Sequence, residues 1–337
     1  MTAKPKAPEP PLGVVGALVA GFETVNARLE LILLPLILDL FLWLGPHLSI
    51  KPLMDDFVEQ LGLLLRRGAA DAATIRSFNL MYDALTAYGK TFNLFSLLST
   101  APLGLPSLMA GRAPLEIPGG TPLVWPLQNP FICLLLTVVF VLGGLFLGAL
   151  YLGGVAQQVR DERLSLGRLL RQVWGDWLQM VVLVGLWLFL LVALGSPLLL
   201  LAGLLALINP VIGSVFWLLG SMLGVWALIY MGFTLHGIVF QRRNLFLALW
   251  DSVRLVHRNL PPTASLFAVI LLTSAGLGFL WNIPTDNSWL LLVGLGGHAL
   301  VSTALVAATF TFYKDRYRWW QEMSQWVQAE QSKATSR

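Results

Sequence analysis

Asp39 is the residue of this sequence with the clearest capacity for chemistry. It lies inside the apolar run Leu34–Trp43, where a carboxylate is costly unless it faces protein or water and has a partner. Counting at about 1.5 Å per residue puts Asp39 and His298 at similar depths in two apolar segments. A carboxylate and an imidazole at one depth could form a proton or cation site, so a transporter or channel is one hypothesis.

The same two residues also fit a structural role. Polar contacts between helices in a bilayer contribute roughly 0.6 kcal/mol each, and Asp39 could also lie nearer the outer interface. His298 is the favoured partner, and four neutral side chains are together an equal alternative: Thr273, Ser274, Ser302 and Thr303. A polar contact that holds helices together is therefore the competing interpretation of Asp39.

Arginines form the second candidate site. Eight of them lie in two gaps between apolar runs, where guanidinium groups could contact anionic lipid headgroups. These candidate headgroup contacts are Arg160, Arg163, Arg168, Arg171, Arg242, Arg243, Arg254 and Arg258. Membrane orientation alone also explains their position, because cytoplasmic gaps of membrane proteins are rich in arginine and lysine.

Motifs of common enzymes are missing. The sequence has no Gly-x-x-x-x-Gly-Lys phosphate loop and no Gly-x-Ser-x-Gly nucleophile motif. Its single cysteine, Cys133, excludes an intrachain disulfide, and no His or Cys spacing fits a metal site. We therefore expect no cofactor and no metal, and an enzyme is the third hypothesis.

The elements that would position these residues are membrane helices. Hydrophobic residues make up 56% of the 337 and charged residues only 12%, about half the charged share of soluble domains. Six apolar runs can each supply a span, which needs about 20 residues. The net charge of +4 indicates membrane orientation and contact with the lipid bilayer, and not a nucleic-acid surface.

These runs predict an all-α polytopic membrane protein with six transmembrane helices. Residues 1–30 form a cytoplasmic tail and an interfacial helix, retained and not cleaved as a signal peptide, and residues 31–48 form the first span. Residues 49–129 form an outer helical insertion, residues 130–313 a bundle of five spans, and residues 314–337 a cytoplasmic tail helix. Backbone groups in hydrocarbon must bond within their own segment, so every span is expected to be helical.

Basic residues assign a side of the membrane to each gap. Sixteen of the 22 lysines and arginines lie before the first span, in alternate gaps, or after the last span. The short gaps at 197–210 and 282–287 contain none, so the basic side is predicted to be cytoplasmic. Both termini are then cytoplasmic, and the membrane is the cytoplasmic membrane of a bacterial cell.

The third and fourth spans are longer than a bilayer requires, since apolar residues dominate from 177 to 208 and from 211 to 240. Gly195, Ser196 and Pro197 could kink or end the third span and leave 198–208 at the outer interface. Otherwise the two segments form a tall hairpin whose tip packs against the outer segment. Two Gly-x-x-x-Gly pairs would let another segment approach closely, within the chain or in a dimer. They are Gly144 with Gly148, and Gly220 with Gly224.

A repeated element precedes three of the spans. Residues 248–260 and 17–29 place Ala, Leu, a small residue, Val and Leu at matching offsets, and 164–177 is a looser copy. Each has an apolar stripe and arginine, which predicts a helix in the headgroup layer. The tail, residues 314–331, has a similar stripe of Tyr313, Tyr317, Trp320 and Val327, which predicts an interfacial helix, with docking on a protein partner as the alternative.

The element at 248–259 and the six-span layout resemble the membrane domain of some glycerophosphodiester phosphodiesterases and related bacterial polytopic proteins. The resemblance covers residues 130–313 and implies a fold type and a membrane role. It implies no reaction, because the family's catalytic His-Glu and His-Asp pairs are missing: the four histidines precede Leu, Gly, Arg and Ala. The leading hypothesis is a non-enzymatic scaffold, assembly factor or accessory subunit for a lipid or protein partner.

Overall fold

The computed structural model of the chain describes residues 8–67, 72–100, 103–112 and 114–335. The outermost residues of both predicted tails, 1–7 and 336–337, lie outside this part. Helix accounts for 79% of the structure, in agreement with the predicted all-α class. Five helical segments of the described chain are long and apolar enough to cross a bilayer: Pro130–Asp161, Leu166–Ile208, Pro210–Val239, Leu260–Trp281 and Leu291–Ala329. The chain is therefore a multi-pass membrane protein.

The segment predicted as the first span differs from that prediction. Helix α1 (Val14–Ala27) ends where the next residue leaves the helical region (φ −149°, ψ 80°). A 3-10 turn, Leu29–Ile32, leads into α2 (Leu33–Leu44), and strand β1 (His47–Ser49) follows. Residues 31–48 thus contain a helix of 12 residues, about 18 Å long, which is shorter than the hydrocarbon core of about 30 Å.

The predicted outer insertion is helical in its first half and irregular in its second. Helices α3 (Lys51–Arg67) and α4 (Ala72–Thr91) pack on each other, and a 3-10 turn, Leu94–Leu98, follows. Beyond this turn the described part of the insertion has no helix and contains strand β2 (Val124–Pro126), which pairs with β1 in parallel. The asparagine before the turn, Asn93, joins these parts because its side chain accepts a hydrogen bond from the backbone of β1.

After α5 (Pro130–Asp161), the chain forms an unusually long helix. Helix α6 (Leu166–Leu190) continues through a π-helical turn, Leu191–Gly195, directly into α7 (Ser196–Ile208). The π turn accommodates Pro197, whose ring and missing N–H would otherwise break a continuous α-helix. The looser copy of the repeated element is the first part of α6 and not a separate helix.

The chain then reverses and forms the tall hairpin. The Asn209 side chain accepts a hydrogen bond from the second residue of α8 (Pro210–Met231) over 2.9 Å and caps that helix. Helices α7 and α8 lie side by side, with Gly213 against Ala206. A short helix, α9 (Thr234–Val239), follows. Of the two arrangements that the sequence left open, the structure has the hairpin.

Three helices complete the chain. Helix α10 (Leu245–Arg258) contains the repeated element, and its outward face exposes Phe246 and Trp250. Helix α11 (Leu260–Trp281) follows directly. Helix α12 (Leu291–Thr335) has 45 residues and runs without a break through the predicted boundary at 313, so the sixth span and the tail helix are one helix.

The chain divides into two compact units. The first comprises Met1–Arg28, Leu152–Leu272 and Ala304–Arg337, and the second comprises Leu29–Tyr151 and Thr273–Thr303. Aromatic rings of α12 and of the residues around α9 form a buried cluster in the first unit: Phe233, His236, Phe310, Phe312 and Tyr313. In the second unit, Leu48, Ile50 and Leu94 form a core against the first turns of α5.

Candidate functional sites

Asp39 lies in the second unit and is fully buried (0% exposed). Its carboxylate accepts three hydrogen bonds from one short turn of the insertion. The Ser107 hydroxyl donates to Oδ1 over 2.5 Å, the Met109 N–H to Oδ1 over 3.0 Å, and the Leu108 N–H to Oδ2 over 3.1 Å. Hydrogen bonds accepted by a carboxylate are stronger than those between neutral groups. Asp39 therefore anchors the 107–109 turn to α2.

Helical spacing on α2 explains why Asp39 faces inward. The buried residues of this helix recur at intervals of one and two turns: Pro35, Leu38, Asp39, Leu42 and Trp43. Trp43 lies one turn beyond Asp39, and its indole N–H donates to the carbonyl of Asp286 over 2.7 Å. The Asp286 carboxylate in turn pairs with Arg112 over 3.1 Å. The irregular part of the insertion is thus held at two points, by Asp39 and by Asp286.

His298 is close to Asp39, but it is not a hydrogen-bond partner. Its Nδ1 atom lies 3.7 Å from Asp39 Oδ2 and has no hydrogen-bond partner among the described residues. Two of the neutral alternatives bond elsewhere: Ser302 donates to the His298 carbonyl over 2.5 Å, and Thr303 pairs with Tyr151 over 3.1 Å. The structure thus brings His298 next to Asp39 as predicted, whereas the hydrogen bonds to Asp39 come from the 107–109 turn, which the sequence did not predict.

Four of the eight predicted headgroup arginines bond to side chains of the first unit. The pairs are Arg160 with Asp161, Arg168 with Asp161, Arg242 with Gln172, and Arg243 with Tyr317. Burial lowers the pKa of Arg242, whereas the hydrogen bond with Tyr317 raises the pKa of Arg243. Arg163 and Arg171 are exposed.

The remaining two, Arg254 and Arg258, meet over one indole ring. Their guanidinium carbons lie 5.7 and 5.2 Å from the ring centroid of Trp320. Beside them is a pocket, called here the arginine pocket, whose lining includes five polar or charged side chains and three aromatic ones. The polar lining is Asp251, Arg254, Arg258, Asn259 and Arg316, and the aromatic residues are Tyr317, Trp319 and Trp320.

The predicted stripe of the tail helix packs in part within the chain. Tyr317 accepts a hydrogen bond from Arg243, and the guanidinium groups of Arg254 and Arg258 lie over the Trp320 ring. This part of the stripe therefore packs on residues of the same unit. Arg316 belongs to the site as well, although in the sequence it is merely one of several basic residues after the last apolar run. No sequence pattern marks it, because its role depends on the packing of α12 against α10.

Comparisons with protein-family models, curated proteins and solved structures find no match for this chain. In the described part of the chain, no group of three or more His, Cys, Asp or Glu side chains could hold a metal ion. The Asp39 site joins two parts of the second unit, and the arginine pocket gathers positive charge in the first.

The two Gly-x-x-x-Gly pairs have different surroundings. A Cβ atom on Gly144 would lie 2.7 Å from the carbonyl oxygens of Leu97 and Leu98, and one on Gly148 would lie 2.7 Å from the Cα atom of Gly104. This pair therefore receives the insertion backbone, which is packing within the chain. The pair on α8 is open: a Cβ on Gly220 would meet nothing nearer than 4.0 Å, and one on Gly224 nothing within 4 Å.

Proposed function

We propose that this chain is a non-enzymatic integral membrane protein that acts as a scaffold or accessory subunit for another membrane protein. The observation that supports this proposal most is the surface of the α7–α8 hairpin. From Trp177 to Gln241 the chain carries no Asp, Glu, Lys or Arg. An uncharged surface of this extent suits contact with lipid and with apolar protein surfaces.

The hairpin is longer than hydrocarbon alone can cover. Residues 177–208, in α6 and α7, span about 48 Å at about 1.5 Å per residue, against a hydrocarbon core of about 30 Å. At a tilt of about 40°, the upper end of the usual range, this length still projects about 37 Å. The tip of the hairpin would therefore extend past the hydrocarbon, where a partner protein could cover it.

Side chains at the tip are highly exposed. Leu207 and Ile208 are 84% and 80% exposed, and Val211, at the start of α8, is 69% exposed. Exposed apolar patches that exceed what lipid covers mark surfaces for other proteins. We therefore assign the partner contact to the turn around Asn209.

The proposal includes six crossings, with both termini in the cytoplasm. Five crossings alone would place the two basic ends on opposite sides, contrary to the charge pattern. The 3-10 turn and α2 can supply the sixth, because Leu29–Leu44 measures about 26 Å, close to the hydrocarbon thickness. Residues 49–129 are then outside, and the membrane is a bacterial cytoplasmic membrane. We also propose that the fold type is similar to that of phosphodiesterase membrane domains.

A transporter or channel that uses Asp39 and His298 has less support. A carboxylate that carries protons or cations must exchange its partners during each cycle. Both oxygens of Asp39 instead accept hydrogen bonds from the 107–109 turn of the same unit. The geometry therefore favours an anchoring role for this acid.

A photocrosslinking amino acid at Leu207 is expected to give a discrete protein adduct in cells of the native host, because the hairpin tip would contact the partner there. Leu271 is the matched control, since it is 70% exposed on α11, a candidate span that lipid can cover. Immunoblotting would detect each adduct, and mass spectrometry would identify it. Adducts that are missing at both positions, or equally abundant at both, would contradict a partner at the tip.

A further inference from the structure

The arginine pocket carries more guanidinium groups than carboxylates in its lining. Three guanidinium groups line it, those of Arg254, Arg258 and Arg316. Among the described residues, none of the three forms an ion pair with a carboxylate. The acid of the lining, Asp251, lies 3.6 Å from Nε of Arg243. Like charges around one cavity repel each other unless an anion lies between them.

Arg316 is buried among the three. Its residue is 4% exposed, and its guanidinium carbon lies 3.4 Å from the ring centroid of Phe312. One terminal nitrogen donates to the Leu12 carbonyl over 3.2 Å, whereas Nε has no hydrogen-bond partner among the described residues. Arg316 therefore adds a buried positive charge to the pocket lining.

Aromatic rings hold the other two guanidinium groups at the pocket. Arg254 lies over Trp320 and also over Trp250, at 5.7 and 5.4 Å from the ring centroids, and Arg258 lies over Trp320. A guanidinium over an aromatic face keeps N–H donors at its edge for an acceptor. Membrane orientation explains why arginines lie on this side, but it does not explain why three of them meet at one pocket.

We propose that the arginine pocket binds a phosphate group, either that of an anionic phospholipid headgroup or that of a free phosphate compound. Arginine suits this ligand because its fork of donors can bind two phosphate oxygens at once. The exposed Phe246 and Trp250 on the outward face of α10 place the site beside a surface that suits the headgroup layer. The site is separate from the partner surface at the hairpin tip.

Native mass spectrometry of the full-length protein in a neutral detergent tests the site, with phosphatidylglycerol and phosphatidylcholine as probes at equal concentrations. We expect the wild type to bind its first phosphatidylglycerol on the order of tenfold or more tightly than the Arg254→Gln/Arg258→Gln variant, which loses two charged donors. The Arg254→Lys/Arg258→Lys variant keeps the charge but lacks the fork, so its loss should be intermediate.

The matched control is Arg163→Gln/Arg171→Gln, which removes the same charge from exposed arginines outside the pocket. We expect it to bind phosphatidylglycerol as the wild type does. If both glutamine variants lost the same phosphatidylglycerol affinity, or if neither lost any, a specific site in the pocket would be refuted. Non-specific attraction between basic residues and the anionic lipid would then explain the binding. The Tm of each variant without lipid shows whether the variant is folded. If Arg254→Gln/Arg258→Gln does not fold, the affinity of Arg254→Lys/Arg258→Lys is compared with that of the wild type instead.

Inorganic phosphate at millimolar concentration separates the two sources of the ligand. A free phosphate compound is supported as the ligand if inorganic phosphate displaces phosphatidylglycerol. It should then also raise the Tm of the wild type but not that of Arg254→Gln/Arg258→Gln. If phosphatidylglycerol stays bound in the presence of inorganic phosphate, the result would support a lipid headgroup as the ligand. If neither probe binds in a way that depends on Arg254 and Arg258, the phosphate site is refuted.

Discussion

Replacing Asp39 with alanine is expected to destabilise the purified protein by about 3–5 kcal/mol, because three hydrogen-bond donors lose their common acceptor. The variant would leave the Ser107 hydroxyl and the N–H groups of Leu108 and Met109 without their acceptor. Each buried donor left unpaired costs about 1–3 kcal/mol. The fall in Tm relative to the wild type, in one detergent, measures the effect.

Two further variants show how much of this stability comes from the 107–109 turn and how much from the His298 imidazole. Ser107→Ala removes one of the three donors and should cost about 1.5–3 kcal/mol. His298→Gln should change the Tm least, because the His298 Nδ1 atom is 3.7 Å from the Asp39 carboxylate. A loss in His298→Gln as large as that in Asp39→Ala, with Ser107→Ala unchanged, would show that the imidazole is the true partner.

Gly144→Ala combined with Gly148→Ala is expected to give the second largest loss of stability. Each new Cβ would come within 2.7 Å of the insertion backbone, at Leu97 and Leu98 for the first and at Gly104 for the second. Overpacking of this kind costs typically about 1–3 kcal/mol per site. Thermal unfolding of the purified double variant would measure the combined effect.

The second Gly-x-x-x-Gly pair supplies a control of the same chemistry. Gly220→Ala combined with Gly224→Ala changes two open positions in α8, and alanine is favoured over glycine in a helix interior by about 1 kcal/mol. This variant should therefore keep or raise the Tm. Equal losses in the two double variants would indicate a general effect of the substitution and would contradict close backbone packing at Gly144 and Gly148.

The helices of this chain could be predicted well from apolar runs and charge, whereas their interruptions could not. The five candidate spans all begin within the predicted bundle, because long uncharged segments have few alternatives to helix. The helix expected over residues 31–48 ends at Leu44, and nothing in its apolar residues reveals that His47–Ser49 pairs with Val124–Pro126. Pro197 left two arrangements open because the sequence does not show that a π turn would accommodate it.

The sites depended even more on contacts between distant residues. The burial of Asp39 follows from the cost of a carboxylate in an apolar run, so that part of the prediction is confirmed. The predicted neighbour His298 does lie 3.7 Å from Asp39 Oδ2. The hydrogen-bond donors were missed because the 107–109 turn is irregular and lies about 70 residues away, with no periodicity to signal it. Likewise, Arg254 and Arg258 were expected to contact headgroups, but only the packing of α10 against α12 adds Arg316 and Trp320 to them.

Cysteine accessibility tests the central claim most directly, which is that the charge pattern sets six crossings with both ends in the cytoplasm. Single cysteines would replace Pro10, Glu59 and Gln328 in a Cys133→Ala background, and a membrane-impermeant maleimide would be added to intact and to permeabilised cells. We expect Glu59→Cys to react in intact cells, and Pro10→Cys and Gln328→Cys to react only after permeabilisation. Labelling of Pro10→Cys in intact cells would contradict the sixth crossing, and labelling of Gln328→Cys but not Glu59→Cys would contradict the orientation.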